Sequence, residues 1–320
     1  MTLPAGPVLA LSGGVGGAKL CLGLDDQLSA GQLHIACNTG DDFQHLGLTI
    51  CPDIDTVLYT LGGVSNPQQG WGLEGETWQV LAALEQLGAD SWFRLGDRDL
   101  ATHLRRAGEL ARGASLSAIT ADLARRLGVC AVVYPMSDDP VRTMVHTSEG
   151  VLPFQHYFVR EQCRPLVQGF SFAGIASAAL QPALATLCTS GNLAGVIICP
   201  SNPFVSIDPI LQLDSFWQTL RESRVPVVAV APIVAGQALK GPAAKMMAEL
   251  NLPVTATGVA AHYARRYPGL IGTFVVDHSD ATLAPAIQEL GMEVEVTATI
   301  MRERADKQTL AAACLELLCR

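Results

Sequence analysis

Apolar residues along this chain gather in short unbroken runs instead of a strict alternation with polar ones. The runs are "VLAL" (8–11), "LHIAC" (33–37), "VCAVVYP" (129–135), "AGVIIC" (194–199), "VPVVAVAP" (225–232), "GTFVVD" (272–277) and "VEVTAT" (294–299). A strand covered on both faces by helices has this character, because neither face needs polar residues. Helical patterns lie between the runs, among them "AKLCLGLDDQL" (18–28), "SAITADLARRLG" (117–128), "SFWQTLRES" (215–223) and "AAKMMAELN" (243–251). This alternation predicts an α/β fold built on a Rossmann-like open, mostly parallel sheet. The strand signal fades over about 56–128 and again over 140–192, where helical pattern, glycine and aromatic residues take over. Both stretches are expected to be helical insertions over the carboxyl edge of the sheet, where ligands of such folds sit. No linker, charge run or internal repeat divides the chain, so residues 1–320 are expected to form a single α/β domain.

Composition narrows the function classes. Hydrophobic residues make up 49 % and charged ones 16 %, as in a globular protein. The net charge of -9 repels nucleic acid and anionic membranes, so no nucleic-acid or membrane partner is expected and an anionic substrate must be held by local groups. Nine cysteines lie scattered without a C-x-x-C pair or zinc spacing. They suit small buried apolar residues in a reducing compartment, with a reactive thiol as the alternative. No basic leader precedes an apolar stretch, and the run "VPVVAVAPIVA" (225–235) is too short to cross a bilayer, so the expected location is cytoplasmic.

The chemistry concentrates at the ends of the apolar runs. "SGGVGGAKL" (12–20) departs from G-x-x-x-x-G-K-[ST], because Ala18 follows Gly17, and from G-x-G-x-x-G, because Lys19 stands in the third glycine's place. What remains is a turn of Gly13, Gly14, Gly16 and Gly17 before a helix expected near Ala18. Its bare amides and helix end can hold an anion, with Lys19 as a point charge; glycine used only for positive φ is the plainer alternative. "CNTGDDFQHLGLTICPDIDTV" (37–57) groups Asp41, Asp42, Asp53 and Asp55, acids suited to a hard cation such as Mg²⁺ bridging phosphate oxygens. Asp53 or Asp55 can equally cap a helix beginning near Thr56. Later runs end in Ser137, Asp138 and Asp139, in Ser201, Asn202 and Ser206, and in Lys240 and Lys245, polar groups that fit a nucleotide cleft. Either lysine alone is as well explained as a solvated surface residue. Trp71 and Trp78 suit a flat ligand wall or a core, and "LGDRDLATH" (95–103) suits a salt-bridged helix start or a ligand site.

These stretches carry a resemblance. "GGVGGAKL", "NTGDDFQHLGLTICPDIDTVLYTLGG", "GWGLEGETW", "LGDRDLATH", "MSDDPV", "FQHYFVRE", "PSNPFVSIDPIL" and "KGPAAKMM", running from residue 12 to about 260, resemble the 2-phospho-L-lactate transferase family of coenzyme F420 biosynthesis, its bacterial members in particular. The resemblance implies transfer of a phospholactyl-type group (2-phospholactate, phosphoenolpyruvate or 3-phosphoglycerate) from a guanosine-diphospho donor to the deazaflavin Fo (7,8-didemethyl-8-hydroxy-5-deazariboflavin), with release of GMP. It further implies Mg²⁺ as the assisting ion and a homodimer. By resemblance, Asp53, Asp55 and Asp41 are the metal-site candidates, Asp53 and Asp55 also the catalytic ones. Gly13 to Gly17 with Ser201, Asn202 and Lys240 are candidates for the donor. Asn38, Thr39, Trp71, Asp97, Arg98, Met136 and Ser137 are candidates for the deazaflavin. The alternative function is a nucleotide-sugar-binding protein of the related morphogenesis-type family, without deazaflavin chemistry. An NAD-dependent oxidoreductase is disfavoured by the broken dinucleotide fingerprint.

Overall fold

The structure, a computed structural model, describes residues 3–320. Seven strands form the central sheet: β1 (Val8–Ser12), β2 (Leu33–Cys37), β3 (Val132–Pro135), β4 (Gly195–Ile198), β5 (Val227–Val230), β6 (Thr273–Asp277) and β7 (Glu293–Thr297). Each falls within or beside one of the apolar runs. Their order is β3-β2-β1-β4-β5-β6-β7 and every pairing is parallel, as in a Rossmann-like fold. Winding reverses direction between β1 and β4, and ligands of open α/β sheets bind outside the carboxyl ends of the strands at such a reversal.

The unbroken apolar character has a direct structural cause. Every residue of β1, β4 and β5 is buried, because side chains alternate between two separate cores. Leu9, Leu11, Val196, Ile198 and Ala229 enter one core, and Val8, Ala10, Ile197, Val228 and Val230 enter the other. Six of the nine cysteines are buried, which accords with their use as small core residues. Among the described residues no helix is long and apolar enough to cross a membrane.

Helices α1 (Gly14–Gln27) and α2 (Pro52–Leu61) follow β1 and β2. The first insertion then runs through the helices α3 (Gln79–Gln86), α4 (Asp97–Ala111) and α5 (Leu116–Arg126). The second insertion, 140–192, is not the helical segment that its weak strand signal suggests. It holds an antiparallel sheet in which Arg142–Thr147 pairs with Gly150–Pro153 on one side and Val167–Ala173 on the other, followed by helix Pro182–Thr189. Burial alternates residue by residue along Arg142–Thr147. A sheet wet on one face follows period two and lacks the continuous run that marks a strand covered on both.

Candidate active site

At the reversal between β1 and β4 lies a cavity of about 660 Å³. The helix on its wall starts earlier than the glycine turn suggests. Gly13 is extended, Gly14 alone is left-handed at φ 63°, and α1 already runs through Gly16 and Gly17. Close packing explains the later glycines: a Cβ on Gly16 would stand 2.3 Å from the Pro200 carbonyl oxygen, and one on Gly17 2.3 Å from Ser12 Oγ. The expected anion cradle is partly satisfied from within the protein. Gly13 N–H donates to Ser201 Oγ at 3.1 Å, Ser201 Oγ donates back to the Gly13 carbonyl at 2.7 Å, and Gly14 N–H donates to Asp53 Oδ1 at 2.7 Å. The next amides of a helix's first turn have no partner within the helix, and Val15 and Gly16 are on the cavity wall. Lys19 and Lys240 line the same cavity; Lys19 Nζ donates to the Met301 carbonyl at 2.9 Å and Lys240 Nζ to the Gln69 carbonyl at 3.1 Å. Burial, then the charges of Lys307 and Lys240, pull the Lys19 ammonium below its ordinary pKa. An anion beside it would relieve that strain.

The four acids of the second motif separate into different roles. α2 begins at Pro52, so Asp53 and Asp55 sit in its first turn instead of capping it. Residues two apart on a helix point to opposite sides. Asp53 turns toward α1, with Oδ1 on Gly14 N–H and Oδ2 accepting from Asn38 Nδ2 at 2.9 Å. Asp55 turns the other way into a buried ion pair with Arg106 of α4. Asp41 lines the cavity with its Oδ1 lacking a hydrogen-bond partner. Burial, then the neighbouring Asp53, pushes the Asp41 carboxyl well above the usual range, and burial raises Asp53 to about 6. Asp42 is not on the cavity wall; burial lifts it to about 8, and it is a buried acid of the fold.

Among the described residues no three His, Cys, Asp or Glu stand together as a metal site, so the expected set of Asp41, Asp53 and Asp55 is not assembled. Asp55 is already neutralised by Arg106. Two adjacent buried carboxylates, one with an orphaned oxygen, nevertheless fit Mg²⁺, which keeps several waters and takes one or two carboxylates plus substrate phosphate.

Several other candidates lie away from the cavity. Asn38 is consumed in holding Asp53, the Val205 carbonyl and the Gly40 amide, and Thr39 is buried off the cavity wall. Met136 and Ser137 are buried, and Ser137 Oγ donates to the Ala179 carbonyl at 2.6 Å. Asp97 caps α3 through the Gln79 and Val80 amides, and Arg98 reaches the Glu74 carbonyl. Lys245 is paired with Glu249. Trp71 and Asn202 do line the cavity. Trp78 instead carries Arg94 over its ring at 4.2 Å.

Beyond Trp71, the aromatic part of the wall is not legible in the sequence. Trp92 and Phe93 come from the first insertion and Phe154 and Phe158 from the second; Phe154 and Phe158 stack at 5.5 Å. Sequence reasoning also passed over Tyr59 and Arg106, although the 55, 59 and 99, 103, 106 spacings, which align residues on helix faces, were the available signal.

The chain matches the family described as 2-phospho-L-lactate transferase CofD over residues 8–314. It is 36 % identical over 315 residues to the phosphoenolpyruvate transferase of Streptomyces griseus, across 97 % of this chain and 98 % of the relative. To the 2-phospho-L-lactate transferase of Methanosarcina mazei it is 34 % identical over 304 residues, across 95 % of this chain and 98 % of the relative. A crystal structure of a UPF0052 family protein from Bacillus halodurans shares the fold, with a TM-score of 0.67 across 98 % of this chain and 99 % of that one at 13 % identity.

Proposed function

Because the chain belongs to the 2-phospho-L-lactate transferase CofD family, we propose that it moves a three-carbon acid phosphate from a guanosine-diphospho donor to the side-chain hydroxyl of Fo, releasing GMP, in cytoplasmic coenzyme F420 assembly. The observation that carries this reading is the make-up of one cavity, which joins a glycine helix start and two lysines, a buried acidic pair and a wall of aromatic rings that includes Trp71, Trp92, Phe93, Phe154 and Phe158. The lysines and first-turn amides suit the donor's phosphates. The rings suit a planar deazaflavin, whose faces are apolar.

The acceptor hydroxyl oxygen forms a bond to the phosphorus bearing the three-carbon group, and the bond from that phosphorus to the GMP oxygen breaks with its electron pair. The hydroxyl proton leaves toward the acidic pair. Such a step needs alignment and charge neutralisation more than a covalent enzyme intermediate. Asp41 and Asp53 would hold Mg²⁺, which supplies neutralisation at phosphate oxygens when bound.

The test is an assay of purified protein with Fo, Mg²⁺ and each guanylylated donor in turn, with products separated and detected by fluorescence and mass. A new anionic deazaflavin with stoichiometric GMP establishes the transfer, and the productive donor identifies the three-carbon unit. If no donor reacts, the reading fails.

A further inference from the structure

Helices α2 and α4 carry a buried polar network whose members Asp55, Tyr59, Asp99 and His103 all reach the cavity. Asp55 and Tyr59 are four apart on α2, and Asp99 and His103 four apart on α4, so each pair shares a face. Arg106, 1 % exposed, anchors the network: its guanidinium is paired with Asp55, and its Nη1 lies 3.1 Å from His103 Nδ1. A guanidinium has only donors, so His103 Nδ1 is the acceptor and the ring proton sits on Nε2. That Nε2 stands 3.3 Å from Asp99 Oδ2, close enough for an ion-pair contact but without the alignment of a good hydrogen bond. The Tyr59 hydroxyl donates to Asp99 Oδ1 at 2.7 Å and fixes the carboxylate's other side. His103 is 1 % exposed. A buried N–H with only a misaligned acceptor is poorly satisfied, so its place in a residue of the cavity wall marks a position that a ligand hydroxyl can complete.

An N–H donor beside a carboxylate acceptor is the complement of one hydroxyl, which accepts from the first and donates to the second. We propose that His103 Nε2 and Asp99 Oδ2 together bind one hydroxyl of a polyol chain on the acceptor, next to the hydroxyl that is phosphorylated. Arg106 and Tyr59 are positioning residues that aim the pair. The inference rests on the transferase reading and adds a specificity element to it. A site built to hydrogen-bond a hydroxyl rejects analogues lacking it, because its own polar groups are then left unpaired.

The experiment compares wild type, His103→Gln and His103→Leu. Glutamine keeps an N–H near the position of Nε2, whereas leucine removes it. Each is assayed for transfer to Fo and to analogues with single side-chain hydroxyls replaced by hydrogen. Fo affinity is measured by its fluorescence, and GDP affinity by calorimetry. One deoxy analogue is expected to lose about tenfold to a hundredfold in kcat/KM with wild type. His103→Leu should lose a similar factor with Fo and nothing further with that analogue, while His103→Gln keeps most of the wild-type value and GDP affinity stays constant in both. Unchanged Fo affinity and transfer in His103→Leu overturn the proposal. So do deoxy and leucine losses that multiply independently, or an equal fall of both variants together with GDP affinity. A wild type that binds Fo without transferring it sinks the transferase reading, while the Fo affinities still decide this one. A wild type that does not bind Fo sinks both.

Discussion

Asp53 is held by three elements at once: its own helix α2, the Gly14 amide at the start of α1, and Asn38 after β2. The last two contacts are hydrogen bonds to the carboxylate oxygens, so the side chain has a fixed aim while burial raises its proton affinity. Asp53→Asn keeps the shape and one of the two bonds, since its amide nitrogen cannot accept, and it removes the charge. Transfer is expected to fall by about a hundredfold or more and to lose its dependence on Mg²⁺, with a melting temperature near that of wild type. Initial rates across a Mg²⁺ series, paired with thermal unfolding, test this. Near-normal turnover would remove Asp53 from the metal pair. The residue scale is also where the sequence was most ambiguous, since four aspartates within one motif resolve into an adjacent cavity pair, a cavity-wall acid paired with arginine, and a buried acid off the wall.

Among elements, the packing of α1 against the C-terminal helix Arg304–Leu317 depends on a missing side chain. A Cβ at Gly23 would stand 2.1 Å from the Lys307 carbonyl oxygen. Gly23→Ala should therefore push the two helices apart and cost about 1–3 kcal/mol despite alanine's better helix propensity. Urea unfolding measures this, and a stabilised variant would refute the contact. The end of β6 is tied to the cavity rim through Asp277, whose Oδ2 accepts from the Thr299 amide at 2.9 Å and whose Oδ1 accepts from the Ser279 amide at 3.0 Å. Burial opposes the charged form, but these bonds outweigh it and hold the carboxyl below its ordinary 3.8. A depressed carboxyl adds stability that is present above the unfolded value and disappears as pH falls through the folded one. Acidification below pH 3.8 should thus destabilise wild type more steeply than Asp277→Asn, as followed by unfolding free energy against pH. Parallel acid limbs would refute it.

For the whole molecule, the cavity draws its wall from both halves of the sheet and from both insertions, so a ligand filling it links parts of the fold that otherwise meet only through the core. A nucleotide that binds only the folded state stabilises it by mass action. GDP at a hundredfold excess over its Kd is expected to add about 2.7 kcal/mol and to raise the melting temperature, read by calorimetry. No shift at saturating GDP would remove guanosine from this cavity.

By itself the sequence determined the parallel sheet and placed the glycine and acidic motifs at strand ends. A strand buried on both faces must be apolar along its whole length, and that demand is local enough to read in a handful of residues. It did not reveal the second insertion's sheet, whose period-two burial lacks a continuous run. Tertiary structure alone decided how each acid is aimed, because the partners that turn them are remote: Gly14 is 39 residues from Asp53, and Arg106 is 51 from Asp55. The aromatic wall was hidden for the same reason. Trp92 and Phe158 come from separate insertions, and only the folding of both over the carboxyl edge of one sheet makes a single surface of them.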